Sequence, residues 1–256
     1  MLLLAAGLCL AGQQPAGTNN RVPSSQLQVP GSKRQGSEDK STGQSRQIGT
    51  TYDLLYGLRA APPALAPSPF LTDCVGRRKP GTALDIGSGN GRNTLYLARR
   101  GWHVTAVDLS RVGLDQTQMT ARQLGVKVRT VAQDINRFDF GHERWDLILL
   151  IDFPFAYQEL LPRIRAGLRP GGWIVLEEVS DREAAELKKS QHLSPILPYR
   201  FMRRKDLDTA FAGFQVLRDE EGFFATPWGG HAWMIRYLAE KPARPGEPGA
   251  QQAPAK

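Results

Sequence analysis

Between residues 82 and 179, short apolar runs alternate with longer amphipathic stretches. TALDIG (82–87) is a run ending in glycine, and NTLYLARRG (93–101) carries Leu95, Ala98 and Arg99 at helical spacing before a glycine stops it. HVTAVD (103–108) reads as a strand. RVGLDQTQMTARQLG (111–125), behind the cap candidate Ser110, places Val112, Met119 and Leu124 for a helix that ends at Gly125. VKVRTVAQD (126–134) alternates with period two, whereas WDLILLID (145–152) is almost unbroken, as a strand buried on both faces requires. AYQELLPRIRAGL (156–168) predicts a helix, RPGG a turn, and WIVLEEV (173–179) another buried strand. After a less regular stretch, RRKDLDTAFAGF (203–214) reads as a helix. FQVLRDEEGFF and HAWMIRYLAE follow as closing strands near enough to pair antiparallel.

Strands separated by helical or turn segments imply right-handed crossovers and a parallel sheet covered on both faces. The expected fold is α/β: a doubly wound, Rossmann-like, mostly parallel seven-stranded sheet with an antiparallel C-terminal hairpin. Ligands of such sheets bind at the carboxyl ends of the strands, so the loops after each strand are where function is sought.

The rest of the chain has a different texture. Residues 13–48 are rich in Gln, Ser, Gly, Pro and Asn and lack apolar periodicity, which predicts a disordered linker; 243–256 has the character of a disordered tail. The domain is expected over 49–242. The start, MLLLAAGLCLAG, is an apolar run of signal-peptide length without a basic n-region, too short to cross a bilayer as a helix. Residues 1–12 therefore read either as a signal-like or anchoring segment or as an apolar end with no such role. Localisation follows that choice: cytoplasmic without a signal, exported or membrane-anchored with one, and any membrane contact would run through this segment if it is uncleaved.

Composition changes the picture little. The 256 residues carry 33 basic and 25 acidic side chains, a net charge of +8, and a surplus of that kind can signal a nucleic-acid partner. More than half of it sits on the two ends, 1–48 and 241–256, where a solvated tail is the simpler reading, and nucleic acid is not the expected partner. Cys9 and Cys74 are the only cysteines, with no CxxC, HExxH or Cys/His cluster, so neither a metal site nor a disulfide framework is expected.

The turn LDIGSGNGRN (84–93) is the first candidate for chemistry. A dinucleotide turn is GxGxxG, but here Gly87, Gly89 and Gly91 give GxGxG, and Arg92 fills the position where that pattern needs glycine. Asp85 would repel a pyrophosphate and suits a ligand with a cationic group beside a nucleoside. Glycine lets the backbone lie directly against such a ligand. Asp108 ends the second strand, where a carboxylate can accept from ribose hydroxyls, and Asp134 ends the third, where one can accept from an adenine amino group beside the apolar Ile135. Each aspartate alone is also what an ordinary strand-end cap would be; three at successive strand ends form a constellation.

ALDIGSGNGRNTLYLARRGWHVTAVDLS, followed by AQDI, WDLILL and LRPGGWIVLEE, resembles the class I S-adenosylmethionine-dependent methyltransferases over about residues 80–240, and GNGRNTLYLA resembles most the tellurite-resistance-type branch. The resemblance implies S-adenosyl-L-methionine as cofactor. Asp85 would lie near its methionine end, Gly87, Gly89 and Gly91 would wrap it, Asp108 would hold the ribose, Asp134 and Ile135 would frame adenine, and Leu109 would be a further cofactor-binding residue.

Methyl transfer from an activated sulfonium mainly needs an acceptor held in line and water excluded. If a base is used, IDFPFAY (151–157) is where it is expected, with Asp152 as the catalytic candidate and Phe153, Phe155 and Tyr157 lining an apolar cleft; capping and plain packing are the other reading of these residues. Glu177 and Glu178 are candidates for the pocket mouth, one of them turned to solvent or a salt bridge by strand alternation. Residues 180–204, with His192, Tyr199, Arg200, Arg203 and Arg204, form either a basic lid or a solvated crossover, and His231 is expected to be structural. The leading reading is in-line methyl transfer to a small-molecule acceptor. A protein or nucleic-acid methyltransferase and a non-catalytic cofactor-binding scaffold are the alternatives, and the oligomeric state is left open.

Overall fold

The computed structural model describes residues 40–58, 66–153, 157–184, 201–226 and 230–244. The signal-like segment 1–12, most of the expected linker and the tail from 245 onward lie outside these residues.

The unbroken apolar run becomes β4 (Trp145–Ile151), and TALDI becomes β1 (Thr82–Ile86) beside it. Leu84, Ile86 and Leu147 through Leu150 are fully buried, because each strand has a layer of structure on both faces. The other strands are β2 (His103–Asp108), β3 (Val128–Ala132), β5 (Leu168–Val179), β6 (Gln215–Ala225) and β7 (His231–Glu240). They form one seven-stranded sheet in the order β3-β2-β1-β4-β5-β7-β6. The first five pair in parallel, and β7 pairs antiparallel with both β5 and β6. The expected fold is thus the observed one.

Strand order reverses between β1 and β4, so the connections after these strands diverge and leave a crevice at their carboxyl ends. β7 lies inside the sheet and β6 at its edge. Their residues account for that placement: HAWMIRYLAE is buried along most of its length, while QVLRDEEGFFA alternates with half its side chains exposed, as an edge strand facing water does.

The helices are α1 (Lys40–Leu58), α2 (Pro69–Val75), α3 (Arg92–Arg99), α4 (Arg111–Gln123), α5 (Leu160–Gly167) and α6 (Arg204–Ala210). One apolar cluster packs α5 and α6 under one face of the sheet, through Leu160, Ile164, Leu207 and Tyr237. A second packs α2 and α3 on the other, through Phe70, Leu71, Leu97 and Leu149. Ser110 caps α4 as expected, accepting a hydrogen bond from the Gly113 amide.

Three expectations change. Residues 40–48, read as the end of a linker, form the first half of α1. That helix has no apolar stripe and is held by polar contacts to the rest of the domain, a form of support that periodicity does not report. Met119 and Leu124 are exposed; α4 buries Gly113, Leu114, Thr117 and Ala121 instead. The reason is steric, since a Cβ on Gly113 would stand 2.8 Å from the Gly89 carbonyl oxygen, so small residues let α4 approach the turn after β1. RPGG lies within β5, where the pairing with β4 shifts register between Trp145 and Leu147.

Leu149→Ala removes a fully buried side chain from the centre of the sheet. A loss of about 2–5 kcal/mol of unfolding free energy is expected in urea titrations.

Candidate functional site at the carboxyl edge of the sheet

After β1 the chain makes the turn Gly87–Gly91 with left-handed φ at Gly87 (67°) and Gly89 (56°). Glycine is required there twice over. The backbone angles disfavour any side chain, and a Cβ on Gly87 would come 2.6 Å from the Phe153 ring while one on Gly89 would meet the Tyr56 hydroxyl. Gly91 then caps α3. The hydroxyl of Ser88, inside this turn, is buried and has no hydrogen-bond partner among the described residues.

The three aspartates singled out in the sequence all arrive at this edge. Asp85 is buried and accepts from the Thr94 hydroxyl at 2.5 Å. Burial pushes its carboxyl up to about 6, with the Thr94 bond and the Arg92 charge pulling the other way. Asp108 accepts from the Gly89 amide at 2.8 Å and the Ser110 amide at 2.7 Å, and burial raises its pKa as well. Asp134 caps the short 3₁₀ turn Ile135–Arg137, accepting from the Asn136 amide at 2.9 Å, while Ile135 is buried beside it.

The sequence reading missed α1, which touches all of these loops. Ser45 donates to Asp134 at 2.5 Å, and Gly49 packs against Leu109. Asp53 accepts from the Ser110 hydroxyl at 2.6 Å and the Val112 amide at 3.1 Å; the Tyr56 carbonyl accepts from Gln116 at 3.0 Å. The signal was available only as single polar residues in TTYDLLYG, because nothing periodic marks a helix held by hydrogen bonds.

A second cluster lies at the ends of β4 and β5. Asp152 has a left-handed φ of 57°, its Oδ2 is paired with Arg92, and its Oδ1 is buried without a hydrogen-bond partner among the described residues. Burial pushes its carboxyl up to about 7, against the pull of Arg92 and with help from Glu177. Phe153 lies over Gly87, and its amide donates to Glu178 at 2.5 Å; Glu178 is buried and held well above the usual carboxylate range by burial and by Asp152. Glu178, a pocket-mouth candidate in the sequence, is buried in this cluster; Arg92 here and Thr94 beside Asp85 were not singled out, since nothing in a linear pattern shows which side chains meet across strand ends.

Two pocket candidates are reassigned. Glu177 is not open at a pocket mouth: it is buried between the Ser68 hydroxyl and Arg236, whose Nε donates at 2.7 Å, the salt-bridge option that strand alternation allowed. Tyr157 is a core residue whose hydroxyl donates to Asp206 at 2.6 Å and accepts from the Arg203 amide at 3.0 Å, tying α6 into place. Phe155, His192, Tyr199 and Arg200 lie outside the described residues. Arg203 pairs with Asp206 and Arg204 with Asp208 and Asp219, while His231 stacks on Phe223 at the sheet edge.

Residues 83–172, which run from β1 into β5, match the family described as Methyltransferase domain. Residues 83–172 thus carry a methyltransferase domain of the class I S-adenosylmethionine-dependent type. Among curated relatives, the chain is 26% identical over 175 residues to Hemagglutinin 1 of Eikenella corrodens, covering 65% of this chain and 56% of that protein. It is 28% identical over 137 residues to the malonyl-[acyl-carrier protein] O-methyltransferase of Enterobacter lignolyticus, covering 52% of this chain and 53% of the relative. The chain thus spans about half the length of these relatives. Among solved structures, TehB from Haemophilus influenzae is similar with a TM-score of 0.58 at 20% identity, over 74% of this chain and 67% of that one. The 1,6-didemethyltoxoflavin-N1-methyltransferase of Burkholderia thailandensis, with bound 1,6-didemethyltoxoflavin and S-adenosylhomocysteine, gives a TM-score of 0.55 at 24% identity, over 84% and 94% of the two chains. These structural likenesses carry the fold. S-adenosylmethionine is the cofactor of the methyltransferase domain, and the residues at the turn fit it: a side-chain-free wall at Gly87 and Gly89, an unpartnered hydroxyl on Ser88, and carboxylates in place of phosphate-binding cations.

Asp53→Ala removes the acceptor that fastens α1 to the start of α4. Limited proteolysis mapped by mass spectrometry is expected to cut within 40–58 many times faster in the variant, with the thermal midpoint of the sheet little changed.

Proposed function

We propose that the chain transfers the methyl group of S-adenosylmethionine to a small-molecule acceptor by in-line displacement, with Asp152 receiving the acceptor's proton. The observation that carries this reading is the buried Oδ1 of Asp152, which has no hydrogen-bond partner among the described residues and stands next to Phe153, whose ring lies over Gly87 of the glycine turn.

When bound, the cofactor supplies a methyl group already activated on a sulfonium, which passes to the nucleophilic atom of the acceptor as its carbon–sulfur bond breaks. Gly87, Gly89 and Gly91 would form the wall against which it lies, where the Ser88 hydroxyl would gain a partner. Asp85 would face the cationic methionine end, Asp108 would take the ribose hydroxyls on lone pairs left over from its two amide bonds, with Leu109 beside it, and Asp134 with Ile135 would frame adenine. Asp152 needs a pKa near the working pH to take a proton, and its burial supplies that. Phe153 helps exclude water. A recessed carboxylate beneath Arg92 suits an acceptor small enough to be enclosed, and the Burkholderia neighbour, a methyltransferase with a bound small molecule, supports that size class.

Calorimetric titration of the full chain tests the cofactor assignment. Saturable binding of S-adenosylmethionine and S-adenosylhomocysteine, no binding of NAD, and at least about tenfold weaker binding by Asp108→Ala, the loss of about 1.4 kcal/mol, are expected. A folded chain that binds neither sulfur ligand refutes the reading and favours a scaffold.

The raised pKa of Asp85 adds a pH signature. Its carboxyl is mostly neutral below about 6 and ionised above it, and only the ionised form attracts the cofactor's cationic end. S-adenosylmethionine affinity is therefore expected to rise as pH increases through about 6, and Asp85→Asn to flatten that rise.

A further inference from the structure

Arg92 stands directly after the glycine turn, as the first residue of α3, and its guanidinium reaches across the crevice to the other half of the site. Nη2 pairs with Oδ2 of Asp152, and Nη1 donates to the Ala66 carbonyl at 3.4 Å, in the segment before α2. Both partners of the pair are mostly buried, with 11% and 18% of their side chains exposed, so the interaction is shielded from solvent and salt. A planar guanidinium spans the two acceptors at once, which the single ammonium of lysine does not.

The charged groups around Asp152 come from three elements. Arg92 approaches from α3, Glu177 and Glu178 from β5, and Arg236 of β7 is already committed to Glu177. Among the described residues three carboxylates thus share two guanidiniums, and one of these, Arg92, pairs with Asp152. Without Arg92, burial and two neighbouring carboxylates would all act to keep Asp152 protonated.

We propose that Arg92 is the positioning residue of methyl transfer: by gripping Oδ2 of Asp152 it keeps that carboxylate ionised and leaves Oδ1 as the oxygen that takes the acceptor's proton. This rests on the role proposed for Asp152. It also gives the arginine within GNGRN a function, because the residue that ends the cofactor turn is the one that prepares the acceptor side. The proton passes from the acceptor's O–H or N–H to Oδ1 as the methyl bond forms, and the Arg92 charge holds Oδ2 throughout.

The test needs no acceptor. Full-length protein labelled with ¹³C at aspartate carboxyls is titrated by NMR, and the Asp152 resonance is assigned by its loss in Asp152→Asn. The parent midpoint is expected near 7. In Arg92→Gln it should rise by about 1–3 pH units, with a smaller rise in Arg92→Lys, which restores the charge but not the fork. An unchanged midpoint in an Arg92→Gln protein that still binds S-adenosylhomocysteine overturns the assignment of Arg92. Failure of the parent to bind that ligand instead overturns the methyl-transfer reading beneath it. If Arg92→Gln does not fold, the pair is read from the other side: hindered guanidinium rotation of ¹⁵N-labelled Arg92 should be lost in Asp152→Asn, and its persistence there would refute the grip.

Discussion

The Gly89 amide donates to the Asp108 carboxylate at 2.8 Å, and much of the site hangs on that bond. It ties the turn after β1 to the end of β2, so two neighbouring parallel strands present their loops as one surface. Gly89 makes this bond from a left-handed conformation, with its backbone close against Tyr56 and α4. Gly113 completes the fit, because a side chain there would push α4 off the Gly89 carbonyl. The turn, α4 and α1 are therefore positioned by each other. A substitution at any one of them is felt at the other two.

The electrostatics of this edge follow from where a parallel sheet ends. Side chains at the carboxyl ends of central strands are covered from both faces, so carboxylates placed there lose water and are pushed toward the neutral form. Asp85, Asp152 and Glu178 all show this, and each folded pKa lies above its unfolded value. By linkage, ionising them opposes folding as pH rises above about 4, most strongly once pH passes their folded values. Arg92 lies between the first two, opposing the effect of burial on both. A cationic ligand would relieve the same strain at Asp85, which is how a carboxylate set that disfavours the empty fold favours a sulfonium compound.

The placement of the candidate cofactor residues was legible in the sequence because its information is local. A short apolar strand, a turn rich in glycine and an aspartate at the next strand end are each read within a few residues. Asp85, Asp108 and Asp134 stand at successive strand ends as the spacing implied. The parallel sheet was legible for the same reason, as β4 shows its burial on both faces in an unbroken run. What could not be read were contacts between distant segments. α1 has no apolar face and is fixed by Ser45, Asp53 and Tyr56 meeting partners tens of residues away. Tyr157 looked like a cleft aromatic and proved to be core, because its partner Asp206 lies 49 positions along the chain.

The same division explains why the cofactor is better defined than the acceptor. The family match stops at residue 172, before the end of β5. Glu177 and Glu178, the Arg236 partner on β7 and the hairpin beyond them all follow that point, and Ser68 precedes its start. Among the described acceptor-side groups Arg92, Asp152 and Phe153 fall within the shared stretch, and of these Arg92 directly follows the glycine turn. The carboxylate proposed to take the proton is thus attached to the common part of the fold, while the residues that surround it are supplied by the end of β5, by β7 and by the segment before α2. If Asp152 takes the acceptor's proton as proposed, such an arrangement would let the acceptor change while the methyl donor and the proton acceptor stay fixed. On that proposal the determinants of acceptor choice belong to β5, β7 and residues 66–70, and not to the glycine turn by which the domain is recognised.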